Sequence, residues 1–245
     1  MDSENQPNSR LDAIATRWTL LREAHALSNA SSVEARQALV LRYLPAIRRY
    51  VGAITRQDDL AQDMTQEVVV RLMSGGFAGA DPHRGRFRDL LKTSIRNLIR
   101  NQWSRDQRRR TTPLEVDDLA EHDRAAEEAW DESWRLSILD LAWNALQQHE
   151  RNHPSSVAYT LLRLRAEHPD ESSDELAERL STQLGKAVRP DALRQKLRRA
   201  RLQFVDLLIT EISRGLDHPT PERIEEELIA LNLHEYVRDL LPSEP

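Results

Sequence analysis

The chain has 245 residues, with no cysteine, 7 glycines, 5% aromatic and 31% charged residues. Lack of cysteine excludes a disulfide framework, a thiolate nucleophile and cysteine-ligated zinc, and so little glycine disfavours many-stranded β folds and phosphate-cradling loops. The formal net charge of -5 conceals large blocks of opposite sign along the chain.

The first ten residues, MDSENQPNSR, lack the apolar core of a secretion signal, and no uninterrupted apolar run is long enough to span a bilayer. The expectation is a cytoplasmic protein with no membrane partner. Apolar spacing and cap residues predict helices over 10–28, 32–55, 58–73, 85–105, 129–149, 155–167, 173–184, 190–213 and 221–240. The first contains Thr16-Arg17-Trp18-Thr19-Leu20-Leu21, and the second starts at Ser31-x-x-Glu34, a capping-box spacing.

On the 58–73 helix, Leu60, Met64, Val68 and Leu72 recur as one buried stripe. Asp63, Gln66 and Glu67 share another face, either an ordinary solvated surface or one that meets a basic partner. Gly75-Gly76-Phe77-Ala78-Gly79 with Asp81-Pro82 reads as a loop. In the helix that follows, Phe87, Leu91, Ile95 and Ile99 form one row while Arg88, Lys92, Arg96 and Arg100 form the next. Between Arg84 and Arg110 ten basic residues stand against two acidic ones. Such a cationic ladder can track phosphates, and the interleaved Asn97 and Trp103 add a base-edge reader and a stacking ring.

From Glu115 to Glu132 the sign reverses, with nine acidic residues against Arg124 alone. Residues 106–128 combine arginines, Thr111-Thr112-Pro113 and this acidic run without helical apolar periodicity, so a flexible acidic linker is expected there. After it, Trp130, Trp134 and His149 serve packing. His149 and His153 straddle a helix end before Pro154, which argues against a metal site, and no cofactor motif is present.

Ser172-x-x-Glu175 opens a helix whose successor carries a second basic block: from Lys186 to Arg201, seven basic residues against Asp191. Helix, turn and basic helix follow helix-turn-helix grammar. Leu193, Leu197, Ala200 and Phe204 form its buried stripe, leaving Arg194, Gln195, Arg198 and Arg201 to reach DNA, with Arg189 at its start. The alternative is a surface helix of a bundle. Thr220-Pro221 begins an acidic amphipathic tail with Ile224, Leu228, Leu231 and Leu233 roughly on one side. That tail is read either as a simple stabilising helix pair or as an element that packs on the second domain or masks its basic surface by charge complementarity.

Asp59-Leu60-Ala61-Gln62-Asp63-Met64-Thr65-Gln66-Glu67, followed by Val68-Val69-Val70-Arg71-Leu72, resembles region two of bacterial RNA polymerase sigma factors. Gly85-Arg86-Phe87-Arg88-x-Leu90-Leu91 and Arg96-Asn97-Leu98 resemble the segment that follows it in the extracytoplasmic-function (ECF) type, with Leu90 where that family commonly has Trp. Glu175-Leu176-Ala177, Leu193 and Leu197-x-Arg199-Ala200-Arg201 are similar to region four, with a longer turn over Ser181–Pro190 and Asp191-Ala192-Leu193 in place of Gly-Thr-Val.

The resemblance implies an all-α protein: a region-two helical bundle and a region-four helix-turn-helix joined by the acidic flexible linker. The expected domains are an N-terminal extension over 1–30, a region-two-like domain over 31–107, a linker over 108–130, a region-four-like domain over 131–213 and an acidic extension over 214–245. It also implies that Asp63, Gln66 and Glu67 dock on the clamp helices of the polymerase largest subunit. Arg84, Arg86, Arg88, Lys92, Arg96, Asn97, Arg100 and Trp103 would engage the promoter minus-ten element, and Arg189, Arg194, Gln195, Arg198 and Arg201 the minus-thirty-five element. The expected partners are core RNA polymerase and promoter DNA, with room for an inhibitory (anti-sigma) protein, and the expected role is binding without catalysis. The competing readings are a stand-alone helix-turn-helix regulator and a helical adaptor without a DNA role.

Overall fold

Apolar residues at helical spacing leave each element of this chain one stripe to bury, and helix-on-helix packing is the outcome. The computed structural model describes residues 30–74, 86–109, 116–216 and 218–238. The 10–28 helix, the Gly75–Gly79 loop, Arg84, Thr111-Thr112-Pro113 and the end of the tail lie outside the described residues.

Among the described residues all regular structure is helical: α1 (Ala30–Thr55), α2 (Asp58–Met73), α3 (Phe87–Arg109), α4 (Val116–Asn152), α5 (Ala158–Glu167), α6 (Ser173–Leu184), α7 (Pro190–Ser213), α8 (Pro221–Ala230) and the short α9 (His234–Val237). None of them is long and apolar enough to cross a membrane. The fold is all-α.

The described residues cluster into two units. The first contains those up to Ser137 together with Ile212–Leu233. Its centre is aromatic. Tyr43 of α1 stacks on Trp134 of α4 with centroids 5.2 Å apart, and lies 5.3 Å from the ring of Phe87 of α3. Trp130 meets Trp134 at 5.5 Å and takes Tyr50 edge-on at 4.7 Å. Ile47 and Val51 of α1, Val68 and Leu72 of α2, Leu91 and Ile95 of α3, and Ile224 and Leu228 of α8 are buried in the same unit. Pro45 sits inside α1 without ending it. It has no amide proton to give the Leu41 carbonyl, and Leu41 is 75% exposed, on a side where water can serve instead.

Two sequence expectations change here. The segment expected as a flexible linker over 108–130 is helical from Val116 onward, as the start of the 37-residue α4. Trp130 and Trp134 anchor it by burial, while Glu127 and Asp131 face cations of α3, so the like-charge repulsion of the acidic run is offset. The helix expected to begin at Ser31 already includes Ala30, so Ser31 lies inside α1.

The second unit contains Ile138–Glu211 and the described residues from His234. Its core is aliphatic, built from Leu146, Leu161, Leu176, Leu180, Leu193 and Leu197, with Trp143 partly buried against it. Trp143 packs on Phe204 at 4.9 Å and edge-on to Tyr159 at 5.9 Å. Glu150 accepts the backbone N–H of Thr160 at 3.1 Å and its hydroxyl at 2.5 Å, satisfying one donor that the first turn of α5 leaves orphaned.

Helix ends follow cap chemistry. Ser172 and Glu175 form the reciprocal box at the start of α6, and Thr220 with Pro221 starts α8. α6 ends on Gly185 at φ 62°, with Lys186 N–H donating to Ser181 O at 3.2 Å. The helix expected over 221–240 is broken after Ala230, where Asn232 takes φ 52° and Leu233 N–H donates to Leu228 O at 2.8 Å. Asparagine tolerates that left-handed conformation better than most residues, so it can close α8 much as glycine closes α6.

Candidate nucleic-acid interface

Of the expected α2 stripe Met64, Val68 and Leu72 are buried, while Leu60, in the first turn, is only partly so. Asp63, Gln66 and Glu67 consequently stand exposed on another face. They line a shallow depression whose other wall includes Leu98, Gln102 and Arg105 of α3. Glu67 pairs with Arg71 one turn on, at 3.2 Å. Two carboxylates and an amide on one exposed helical face can meet a cationic surface.

α3 buries Phe87, Leu91, Ile95, Leu98 and Ile99. The neighbouring basic row does not face water uniformly. Arg88 is only 8% exposed, with Nη1 3.3 Å from Asp131 Oδ1 and Nε 3.3 Å from Glu227 Oε1. Lys92 Nζ is 2.5 Å from Glu127 Oε2, and Arg96 donates to the other oxygen of that carboxylate. Arg86 lies 2.7 Å from Glu227 Oε2 and 3.5 Å from Glu226 Oε2. Of the expected minus-ten residues, Asn97 and Arg100 are exposed, Trp103 is half-buried, and Arg86, Arg88, Lys92 and Arg96 are held by carboxylates. Arg84 lies outside the described residues.

Sequence reasoning missed the acidic partners Glu127, Asp131, Glu226 and Glu227. The available signal was that a strongly basic block is followed at once by a strongly acidic one. The tail also differs from expectation. Residues 212–233 cluster with the first unit, where Glu226 and Glu227 meet Arg86 just before α3 and Glu227 also meets Arg88 of α3. Its acids thus meet the basic row before position 110, whereas the sequence pointed to the basic surface of the second domain.

In the second unit α6 and α7 are joined by the turn Gly185–Arg189. Ser181 braces that turn: its hydroxyl donates to Ala177 O at 2.6 Å and accepts from Val188 N–H at 2.8 Å. Arg179 Nε lies 2.8 and 2.7 Å from the two oxygens of Glu171, which ties the loop before α6 to the helix. That hydrogen bonding holds the Glu171 carboxyl below its ordinary pKa and raises that of Arg179. Leu193, Leu197 and Ala200 are buried, and Arg189, Arg194, Gln195, Arg198 and Arg201 are all exposed. Lys196 and Arg199, outside the expected contact set, are exposed as well. Arg194 leans on Asp191 in an exposed i,i+3 pair. A helix braced at its start and carrying guanidiniums and an amide into solvent has the side chains that read base edges and hold phosphates.

The rings of His149 and His153 stack with centroids 4.1 Å apart, and His153 Nδ1 lies 2.9 Å from the His149 carbonyl. No group of three or more His, Asp or Glu among the described residues is arranged to hold a metal ion.

Residues 39–110 match the family model of sigma-70 region 2. No curated protein and no solved structure matches the chain. The matched stretch covers most of α1, all of α2 and all of α3. The first unit therefore contains a stretch similar to sigma-70 region 2, a domain of proteins that act in transcription initiation with RNA polymerase and DNA.

Proposed function

We propose that the chain is a sigma factor of the ECF type with N- and C-terminal extensions, which joins core RNA polymerase, recognises the promoter minus-ten and minus-thirty-five elements and promotes transcription initiation. The sigma-70 region 2 match over 39–110 carries this reading. In it, the exposed Asp63, Gln66 and Glu67 face docks on the polymerase, Asn97, Arg100 and Trp103 approach the minus-ten element, and α7 serves as a region-four recognition helix for the minus-thirty-five element. An inhibitory anti-sigma protein would compete for the same polymerase-docking face. The role is binding in the cytoplasm, beside polymerase and chromosome, and not catalysis.

One observation favours a second reading, a stand-alone helix-turn-helix regulator: the basic residues of α7 are exposed while much of the basic row of α3 is paired. A pull-down with core polymerase followed by promoter-directed transcription separates the two. Under the sigma reading, Asp63→Arg or Glu67→Arg weakens polymerase capture by about tenfold or more through like-charge contact, with the circular dichroism spectrum unchanged. Wild-type capture by both variants would overturn this docking face. Operator binding with no polymerase capture by the wild type would select the second reading.

A further inference from the structure

The carboxylates on α3 come from two parts of the chain, and their burial differs. Glu127 and Asp131 are roughly half-exposed, on the outer side of their pairs. Glu227 is 5% exposed, and its two oxygens are taken by two different guanidiniums: Oε2 lies 2.7 Å from Arg86 Nη1, and Oε1 3.3 Å from Arg88 Nε. Glu226 adds a second, exposed carboxylate 3.5 Å from Arg86. Two arginines two residues apart, with their charges against the two oxygens of one carboxylate, form a cationic cradle that would attract a phosphate in its place. The cradle is filled from a separately capped, ten-residue helix, α8, which is held through one apolar side by Ile224 and Leu228 and closed at both ends by local hydrogen bonds. Such an element can leave as a unit, because its own backbone bonds go with it.

We propose that α8 is a built-in competitor for nucleic-acid phosphate: in the free protein Glu226 and Glu227 occupy the Arg86 and Arg88 cradle, and DNA gains these two arginines by displacing them. The site is an anion site for backbone phosphate, and its occupant in the free chain is the chain's own tail. This rests on the reading of α3 as the minus-ten helix. By reciprocity, whatever DNA loses in affinity to α8, α8 loses in occupancy to DNA. A purely structural ion cluster has no such linkage.

The test uses the full chain without polymerase, with a fluorescent forked duplex of promoter-like sequence and a random single strand as probes, read by anisotropy across a salt series. The Glu226→Gln, Glu227→Gln double variant is expected to bind both probes about tenfold tighter, with the salt slope steeper by one to two phosphate contacts, roughly 0.7–0.9 each. The exposed Glu226→Gln change alone, which cannot disturb a buried group, is expected to give a smaller rise of about two- to threefold. It decides the matter should the double variant fail to fold by circular dichroism. In the wild type, saturating DNA should increase amide hydrogen exchange across 221–230. Affinity no higher than wild type in the folded variants, or unchanged exchange across 221–230 in the DNA complex, overturns the proposal. Polymerase capture keeps the failures apart: loss of capture by the wild type sinks the sigma reading, while unchanged DNA affinity with capture intact sinks only the competitor.

Discussion

α3 and α7 each carry a basic row, and the charges of the two rows meet opposite fates. On α3 Arg88 is buried between Asp131 and Glu227 while Lys92 and Arg96 share Glu127. On α7 Arg198, Arg199 and Arg201 stand in solvent. Both helices place a basic row beside an apolar stripe, so helical periodicity is not what separates them. The difference lies in what the rest of the chain brings to each row. Carboxylates from α4 and α8 reach α3 within its own unit, whereas on α7 Asp191 pairs with Arg194 and, among the described residues, no ion pair is seen at Arg198, Arg199 or Arg201. A basic row is a ligand surface only to the extent that the fold leaves it without internal counterions.

The largest effect expected bears on the cores that hold the two rows in place. Trp134 is 2% exposed, stacked on Tyr43 and packed on Trp130. Trp134→Ala should lower stability by about 3–5 kcal/mol, since the ring is lost and the surrounding helices cannot collapse onto the space it leaves. Chemical denaturation measures the loss. Hydrogen exchange locates it, with protection falling across α1 and α3 more than across α6 and α7. An equal fall in both sets would break the picture of two separately built cores.

A smaller effect sharpens the contrast between the rows. Arg198→Ala should weaken DNA binding by the full chain by about 1–3 kcal/mol if the side chain reads a base edge, or reduce the salt slope by about one contact if it holds a phosphate. Lys92→Ala, whose ammonium already has a carboxylate at 2.5 Å, should leave the salt slope of the free chain where it was. Titrating labelled duplex at several salt concentrations reads both. A slope that drops for Lys92→Ala and not for Arg198→Ala would invert the assignment of exposed and occupied rows.

Much of the fold was legible because its determinants are local. The helix expected over 58–73 is α2 (Asp58–Met73), and those expected over 173–184 and 190–213 are α6 (Ser173–Leu184) and α7 (Pro190–Ser213). In each case an apolar stripe at 3.6-residue spacing agrees with cap chemistry at an end. The acidic run around Trp130 misled for the opposite reason. Nine acids in a short stretch look like a solvated tether unless cations sit opposite, and those cations lie 31 to 43 positions earlier in the chain. The site was half legible by the same logic. Exposure of Asp63, Gln66 and Glu67 follows from burial of Met64 and Val68 on the same helix, and exposure of Arg194 and Arg198 from burial of Leu193 and Leu197. Occupation of Arg86 and Arg88 by Glu227 could not follow from any local pattern, because it is a tertiary contact across most of the chain.

The smallest effect concerns the element that sets the pose of the exposed row. Ser172 Oγ accepts Glu175 N–H at 3.3 Å, and Glu175 Oε2 accepts Ser172 N–H at 2.7 Å. The Ser172 backbone donor, then its side chain, holds the Glu175 carboxyl below its ordinary pKa. Glu171 is likewise lowered by Arg179. A carboxyl whose folded pKa is depressed contributes stability that is fully present above its unfolded pKa and is lost as pH falls through the folded one. The start of α6 should therefore be unaffected from neutrality down to about pH 5 and weaken progressively below about pH 4. Ser172→Ala should cost about 1 kcal/mol near neutrality through the lost N-cap, and should move the Glu175 carboxyl back toward its ordinary range, so that less of the remaining stability depends on acid. Carboxyl carbon shifts followed by NMR from pH 7 to pH 2 measure that movement directly. A Glu175 titration identical in the wild type and in Ser172→Ala would mean that the Ser172 hydroxyl does not help set that pKa.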